Sequence, residues 1–173
     1  MTKSNCKTIN GYIEGYYGRL LTWNNRERIL NRLQKNKMYN YLYAPKEDVY
    51  HRRNWREPYT AKWSNNFRLF CKSAKSKQIN IIFGISPGID FNFNYLDFVN
   101  KNDDFNILLE KCLHALKLGA TTIALQLDDI PDHFLEKYSI QIHEGTAHAL
   151  LANELSKYLG SNIFVIPRVY SDE

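Results

Sequence analysis

The chain has 173 residues, of which 44% are hydrophobic and 24% charged, with a formal net charge of +5. That length suits about one domain of roughly 150 residues, and the composition excludes a disordered or collagen-like chain. No run approaches the ~20 apolar residues of a membrane-spanning helix, so no membrane partner is expected. The opening residues Met-Thr-Lys-Ser-Asn-Cys-Lys carry charge without an apolar stretch, so no secretory signal is expected and the cytoplasm is the default compartment.

In chain order, residues 8–13 (TINGYI) predict a first strand and 22–36 a first helix. Residues 38–43 (MYNYLY) predict the second strand, 62–77 the second helix and 79–85 (INIIFGI) the third strand. Ser-Pro-Gly then opens a stretch, 86–100, that reads as loop. The clearest helix is 103–118, where Phe105, Leu108, Leu109, Cys112, Leu113 and Leu116 share one face. Asp103 and Asp104 favour its start and Gly119 its stop. Residues 121–127 (TTIALQL) predict the fourth strand, 144–159 the last helix and 162–166 (NIFVI) the fifth strand.

Uninterrupted alternation of strand and helix implies parallel strands joined by right-handed crossovers. Two α/β architectures fit: an open doubly wound sheet, or part of a (β/α)₈ barrel. Five strands and four helices fall short of a complete barrel, which takes eight of each and about 250 residues. With no repeat or linker, residues 1–173 are expected to form a single domain.

In both architectures function sits at the carboxyl ends of the strands. Those positions hold Glu14 to Arg19, Ala44 to Asp48, Ser86 to Asp90, Asp128-Asp129, and Pro167 to Tyr170. The Asp128-Asp129 pair ends an almost wholly apolar strand. Mutual repulsion and burial there would keep one carboxyl protonated beside an ionised one, which suits general acid/base work. Helix capping or a turn is the plainer role, and a Mg²⁺ site a third, although no further ligand cluster supports a metal. Gly15 and Gly18 allow a tight turn or close approach to a ligand. Lys46 and Tyr170 offer hydrogen-bond donors, or are ordinary surface residues. The run YHRRNWREPY interleaves arginines with aromatics, a pattern that can stack nucleic-acid bases. Glu47, Asp48 and Glu57 offset its charge, and a loop that packs its Trp onto the core and solvates its arginines explains it better. The five histidines form no triad-like spacing. Cys6, Cys71 and Cys112 lie far apart, which suits free thiols in a reducing compartment.

Four motifs, GYIEGYYGR, YLYAPKEDVYHRRNWREPY, FGISPGID and IALQLDDI, resemble in order and spacing the catalytic domain of glycoside hydrolase family 84, the O-GlcNAcases and related β-N-acetylglucosaminidases. The resemblance runs from about residue 9 to residue 170. It implies a (β/α)₈ barrel, here truncated to about five strands, and substrate-assisted retaining hydrolysis through an oxazoline, with neither cofactor nor metal. It gives Asp128 the part of orienting the substrate acetamido group and Asp129 that of general acid/base. Gly15, Lys46 and Tyr170 match sugar-binding positions. Leu20-Leu21 stand where the family commonly has Pro-Trp, and Gln126 where it has an apolar residue. The expected partner is a glycan or glycoprotein bearing N-acetylglucosamine, and no nucleic acid. A second copy or second chain would complete the barrel, or the half-barrel would remain as an impaired or carbohydrate-binding remnant.

Overall fold

Strands and helices fall where the periodicity predicts them, and the order in which the strands pair decides between the two architectures. The computed structural model describes residues 10–94, 97–131, 136, 138 and 142–169. The elements are β1 (Gly11–Glu14), α1 (Trp23–Lys35), β2 (Asn40–Tyr43), α2 (Ala61–Ser76), β3 (Asn80–Ile85), α3 (Phe98–Lys101), α4 (Asp103–Leu118), β4 (Thr122–Gln126), α5 (Glu144–Leu159) and β5 (Phe164–Ile166). The single turn α3 interrupts the stretch predicted as loop. Residues 8 and 9 of the first predicted strand lie outside the described residues.

Local chemistry fixes the helix ends. The hydroxyl oxygens of Thr22 and Thr60 and the side-chain oxygen of Asn102 accept hydrogen bonds from backbone N–H groups of the first turns of α1, α2 and α4. Gly119 and Gly160, both left-handed, end α4 and α5.

All five strands are parallel and pair in the order β1-β2-β3-β4-β5. A doubly wound sheet reverses direction at a switch point; this one never does. The two faces differ accordingly. One carries Tyr41, Tyr43, Ile81, Phe83, Ile123 and Leu125, which form a continuous core with α1, α2, α4 and α5. The other carries a small cluster of Leu42, Ala44, Ile82 and Ala124, flanked by Ile166 and without any helical residue. Helices on one face only, around a sheet that always steps the same way, make a half-barrel.

The helix side also settles Glu14. Its side chain points away from the barrel interior and takes Arg26 of α1 at 2.7 Å, with Tyr41 donating at 2.6 Å. Arg26 stacks on Trp23 and Tyr43. Both members of the ion pair are about fully buried, at 2% and 1% exposure. Glu14 therefore anchors β1 to α1 and is not a rim residue. Removing one partner strands a buried charge, so Glu14→Gln is expected to destabilise the chain by about 3–5 kcal/mol in denaturant unfolding.

Candidate active site

The site is built at the carboxyl end of β4 by a loop that starts at the end of β2. Beyond Gln126 the chain leaves the sheet at Leu127, whose N–H donates to Ile166 of β5. Asp128 and Asp129 follow, half-buried on the rim, at 20% and 28% side-chain exposure.

Lys46 lies opposite them with only 4% of its side chain exposed. Its Nζ donates to Asp128 Oδ2 at 3.0 Å and to Asp129 Oδ2 at 2.5 Å. Far from being solvated surface, this lysine is the cation on which both carboxylates converge. Tyr17 of the β1–α1 loop donates its hydroxyl to the same Asp129 oxygen at 2.9 Å. Arg52 Nη2 holds the Asp129 carbonyl at 3.1 Å.

Electrostatics follow from this geometry. Burial works against ionisation of Asp129, but hydrogen bonds from Lys46 and Tyr17 and the charges of Lys46 and Arg52 outweigh it. They hold the carboxyl below the usual carboxylate range. Burial likewise disfavours the Lys46 ammonium, and its two carboxylate partners reverse that and raise its pKa. Repulsion between neighbours was expected to leave one carboxyl protonated; for Asp129 of the free chain a buried cation prevents it.

The loop carrying Lys46 is fixed at three levels. Asp48 accepts hydrogen bonds from the Tyr43 and Tyr59 hydroxyls at 2.6 and 3.2 Å, which closes the loop on its own ends. His51 is fully buried, its Nδ1 2.9 Å from the Gly84 carbonyl of β3. Burial, with the charges of Lys46, Lys111 and Arg52 adding to it, pushes the imidazole down to about 3. It is therefore neutral, and the carbonyl requires that Nδ1 carry its hydrogen. From below, α4 supplies Lys111, whose Nζ donates to the Trp55 and Glu57 carbonyls at 2.7 and 2.6 Å under the Tyr59 ring. It also supplies Asp104, which takes Arg56 in a fork at 2.6 and 2.7 Å. Arg56 reaches Asp90 of the β3 loop as well and stacks on Trp55, whose Nε1 donates to Asp90.

The basic aromatic run is thus spent internally. Trp55 is buried, Arg52 and Arg56 are half-buried and hold carbonyl and carboxylate oxygens, and only Arg53 of the three arginines is exposed. Gly15 has no positive φ, and a Cβ there would crowd the Ile13 methyl at 3.0 Å; Gly18, at φ 114°, needs glycine for its backbone. Gly88 is required by packing, because a Cβ there would come within 2.5 Å of Ile130, just past the acidic pair. Tyr170 lies outside the described residues. Among the described residues no cluster of three or more His, Cys, Asp or Glu side chains is placed to hold a metal. Tyr17, Arg52 and Lys111 were not picked out from sequence. Tyr17 stood inside the EGYYG motif, whereas nothing in the spacing of Arg52 or Lys111 marks what it touches.

A parallel sheet wound in one sense, with an acidic pair on the rim after β4, is the framework of a barrel-type glycoside hydrolase. The family profile described as beta-N-acetylglucosaminidase matches residues 10–173. The chain belongs to that family, glycoside hydrolase family 84. Protein O-GlcNAcase of Rattus norvegicus and of Mus musculus are each 34% identical over 152 residues, covering 87% of this chain and 16% of those proteins. Among solved structures, the Thermobaculum terrenum O-GlcNAc hydrolase, as a point mutant, superposes with a TM-score of 0.78 at 28% identity, over 95% of this chain and 36% of that one. CpGH84B does so with a TM-score of 0.70 at 30% identity, over 84% and 24%. The chain thus spans a minor part of each relative.

Arg56→Lys keeps the charge but loses the fork that joins α4 to the loop. Its expected effect is a destabilisation of about 1–2 kcal/mol. Amide exchange should be faster in residues 48–57 than in α2, and equal protection of the two segments would show that the fork does not hold the loop.

Proposed function

We propose that this chain carries the acid/base half of a β-N-acetylglucosaminidase that removes terminal β-linked N-acetylglucosamine from a glycan or glycoprotein. The convergence of Asp128 and Asp129 on Lys46 carries the reading. A protein nucleophile and its acid stand about 5–5.5 Å apart across the scissile bond. Membership of glycoside hydrolase family 84 supports a different arrangement, in which the acetamido oxygen of the substrate is the nucleophile and Asp128 and Asp129 serve it from the rim.

In this mechanism the acetamido oxygen attacks the anomeric carbon while Asp128 accepts the acetamido N–H. Asp128 Oδ1 is buried without a hydrogen-bond partner among the described residues and is the free acceptor for it. Asp129 gives its proton to the departing glycosidic oxygen, and the oxazoline forms. Water then attacks the same carbon, losing a proton to Asp129, and the acetamido group is restored. Gly15, Lys46 and Tyr170 contact the sugar in this reading. Family membership and the names of the O-GlcNAcase relatives support the substrate class.

We assign residues 1–173 to one partial barrel domain. Among the described residues β1 and β5 each have one sheet neighbour, and Ile13, Phe164 and Val165 are exposed between them. Further βα units, from a continuation or a second chain, would cover this face. Buried, free Cys71 and Cys112, whose thiols burial raises to about 12, suit a reducing cytoplasm.

Hydrolysis of a fluorogenic β-N-acetylglucosaminide tests the mechanism. With a poor leaving group, Asp129→Asn is expected to lower kcat/KM by about 10²–10⁴, and an activated aryl leaving group should restore much of it. Asp128→Asn should lose activity with both. Equal rates in all three proteins would refute these roles.

A further inference from the structure

Lys46 faces two carboxylates with one ammonium. Among the described residues, the charged or titratable groups that meet Asp129 are Lys46 and Arg52 from the β2–α2 loop, Tyr17 from the β1–α1 loop, and Asp128 beside it. All but Asp128 favour the ionised form. A general acid needs its proton when the leaving oxygen departs. The free site therefore holds its acid in the wrong state for the first step, and something must change when substrate arrives.

We propose that Lys46 is an internal counter-ion that keeps Asp129 deprotonated until a sugar hydroxyl draws the ammonium away, so that sugar binding and proton uptake by Asp129 are one coupled event. This deepens the β-N-acetylglucosaminidase reading and rests on it. The proton comes from solvent, adds to Asp129 Oδ2 as Nζ turns off it, and leaves later with the glycosidic oxygen. Lys46 has three N–H donors, and two are spent on the carboxylates. The third gives the hydroxyl its first contact. A hydroxyl is a weaker partner than a carboxylate, so the remaining sugar contacts drive the exchange. Lysine suits this role because its compact ammonium turns on a flexible stem, whereas the rigid guanidinium fork of arginine would keep both carboxylates.

Linkage gives the pH dependence. Between the Asp129 midpoints of the free and the sugar-bound chain, binding takes up one proton, so affinity falls by up to about tenfold per pH unit as pH rises.

The test is a ¹³C carboxyl titration of the labelled chain by NMR, with the Asp129 resonance assigned by its loss in Asp129→Asn. It is run with and without N-acetylglucosamine. The wild-type midpoint is expected to be low alone and to move up with the sugar. In Lys46→Met it should be high from the start and unmoved by sugar, and in Lys46→Arg low throughout. A Lys46→Met midpoint equal to wild type would overturn the counter-ion role. Sugar binding, seen as shifts in neighbouring amides, that leaves the wild-type Asp129 midpoint in place would overturn the coupling while the glycosidase reading stands. A sugar that shifts no resonance of Gly15, Lys46, Asp128 or Asp129 even at high concentration would overturn both. If Lys46→Met fails to fold, the wild-type titration alone decides the coupling.

Discussion

One cation between two carboxylates governs the rim of this half-barrel. Asp128 and Asp129 leave an apolar strand at a place where two neighbouring negative charges repel and lose hydration. Lys46, buried along its stem, supplies the positive charge that both side chains face. The lysine in turn tolerates burial because two anions face it. Neither side of this arrangement stands without the other, and the loops around it serve to keep the parts in register.

The fold meets that demand with long-range bolts. Lys46 belongs to the loop 44–60 between β2 and α2, seventeen residues and long enough to wander if left to itself. Asp48 gathers the loop's ends, His51 docks it on the β3 backbone, and α4 grips it through Asp104 and Lys111. The two α4 residues are seven apart, two turns along one helix face, so they meet the loop together. An outer helix thereby positions an inner lysine with which, among the described residues, it shares no hydrogen bond or ion pair. The same α4 face packs Phe105, Leu108 and Cys112 into the core, so the clamp and the hydrophobic stripe are read from one helix.

Much of this was legible in the sequence. Strand and helix positions followed from alternation and from the stripe of α4, because local periodicity reports burial directly. The choice between barrel and doubly wound sheet was not legible, since both share the same linear pattern and differ only in where each crossover returns. The acidic pair stood out because two charges end an apolar run. Glu14 was misplaced for an equally plain reason: adjacent strand residues face opposite sides, and composition alone does not tell which side Glu14 takes. Lys46 as a shared counter-ion was hidden because its partners lie 82 and 83 residues away in sequence. Arg52 and Arg56 looked like solvated charge until their carboxylate and carbonyl acceptors came from other loops.

The most direct test of this account is a crystal structure of the chain grown with N-acetylglucosamine at high concentration. The account predicts the sugar on the rim after β4, its acetamido nitrogen within hydrogen-bond distance of Asp128, Asp129 beside the anomeric carbon, and Lys46 Nζ turned to a sugar hydroxyl. Sugar bound elsewhere on the chain, or a rim in which Lys46 lies far from both carboxylates, would contradict it.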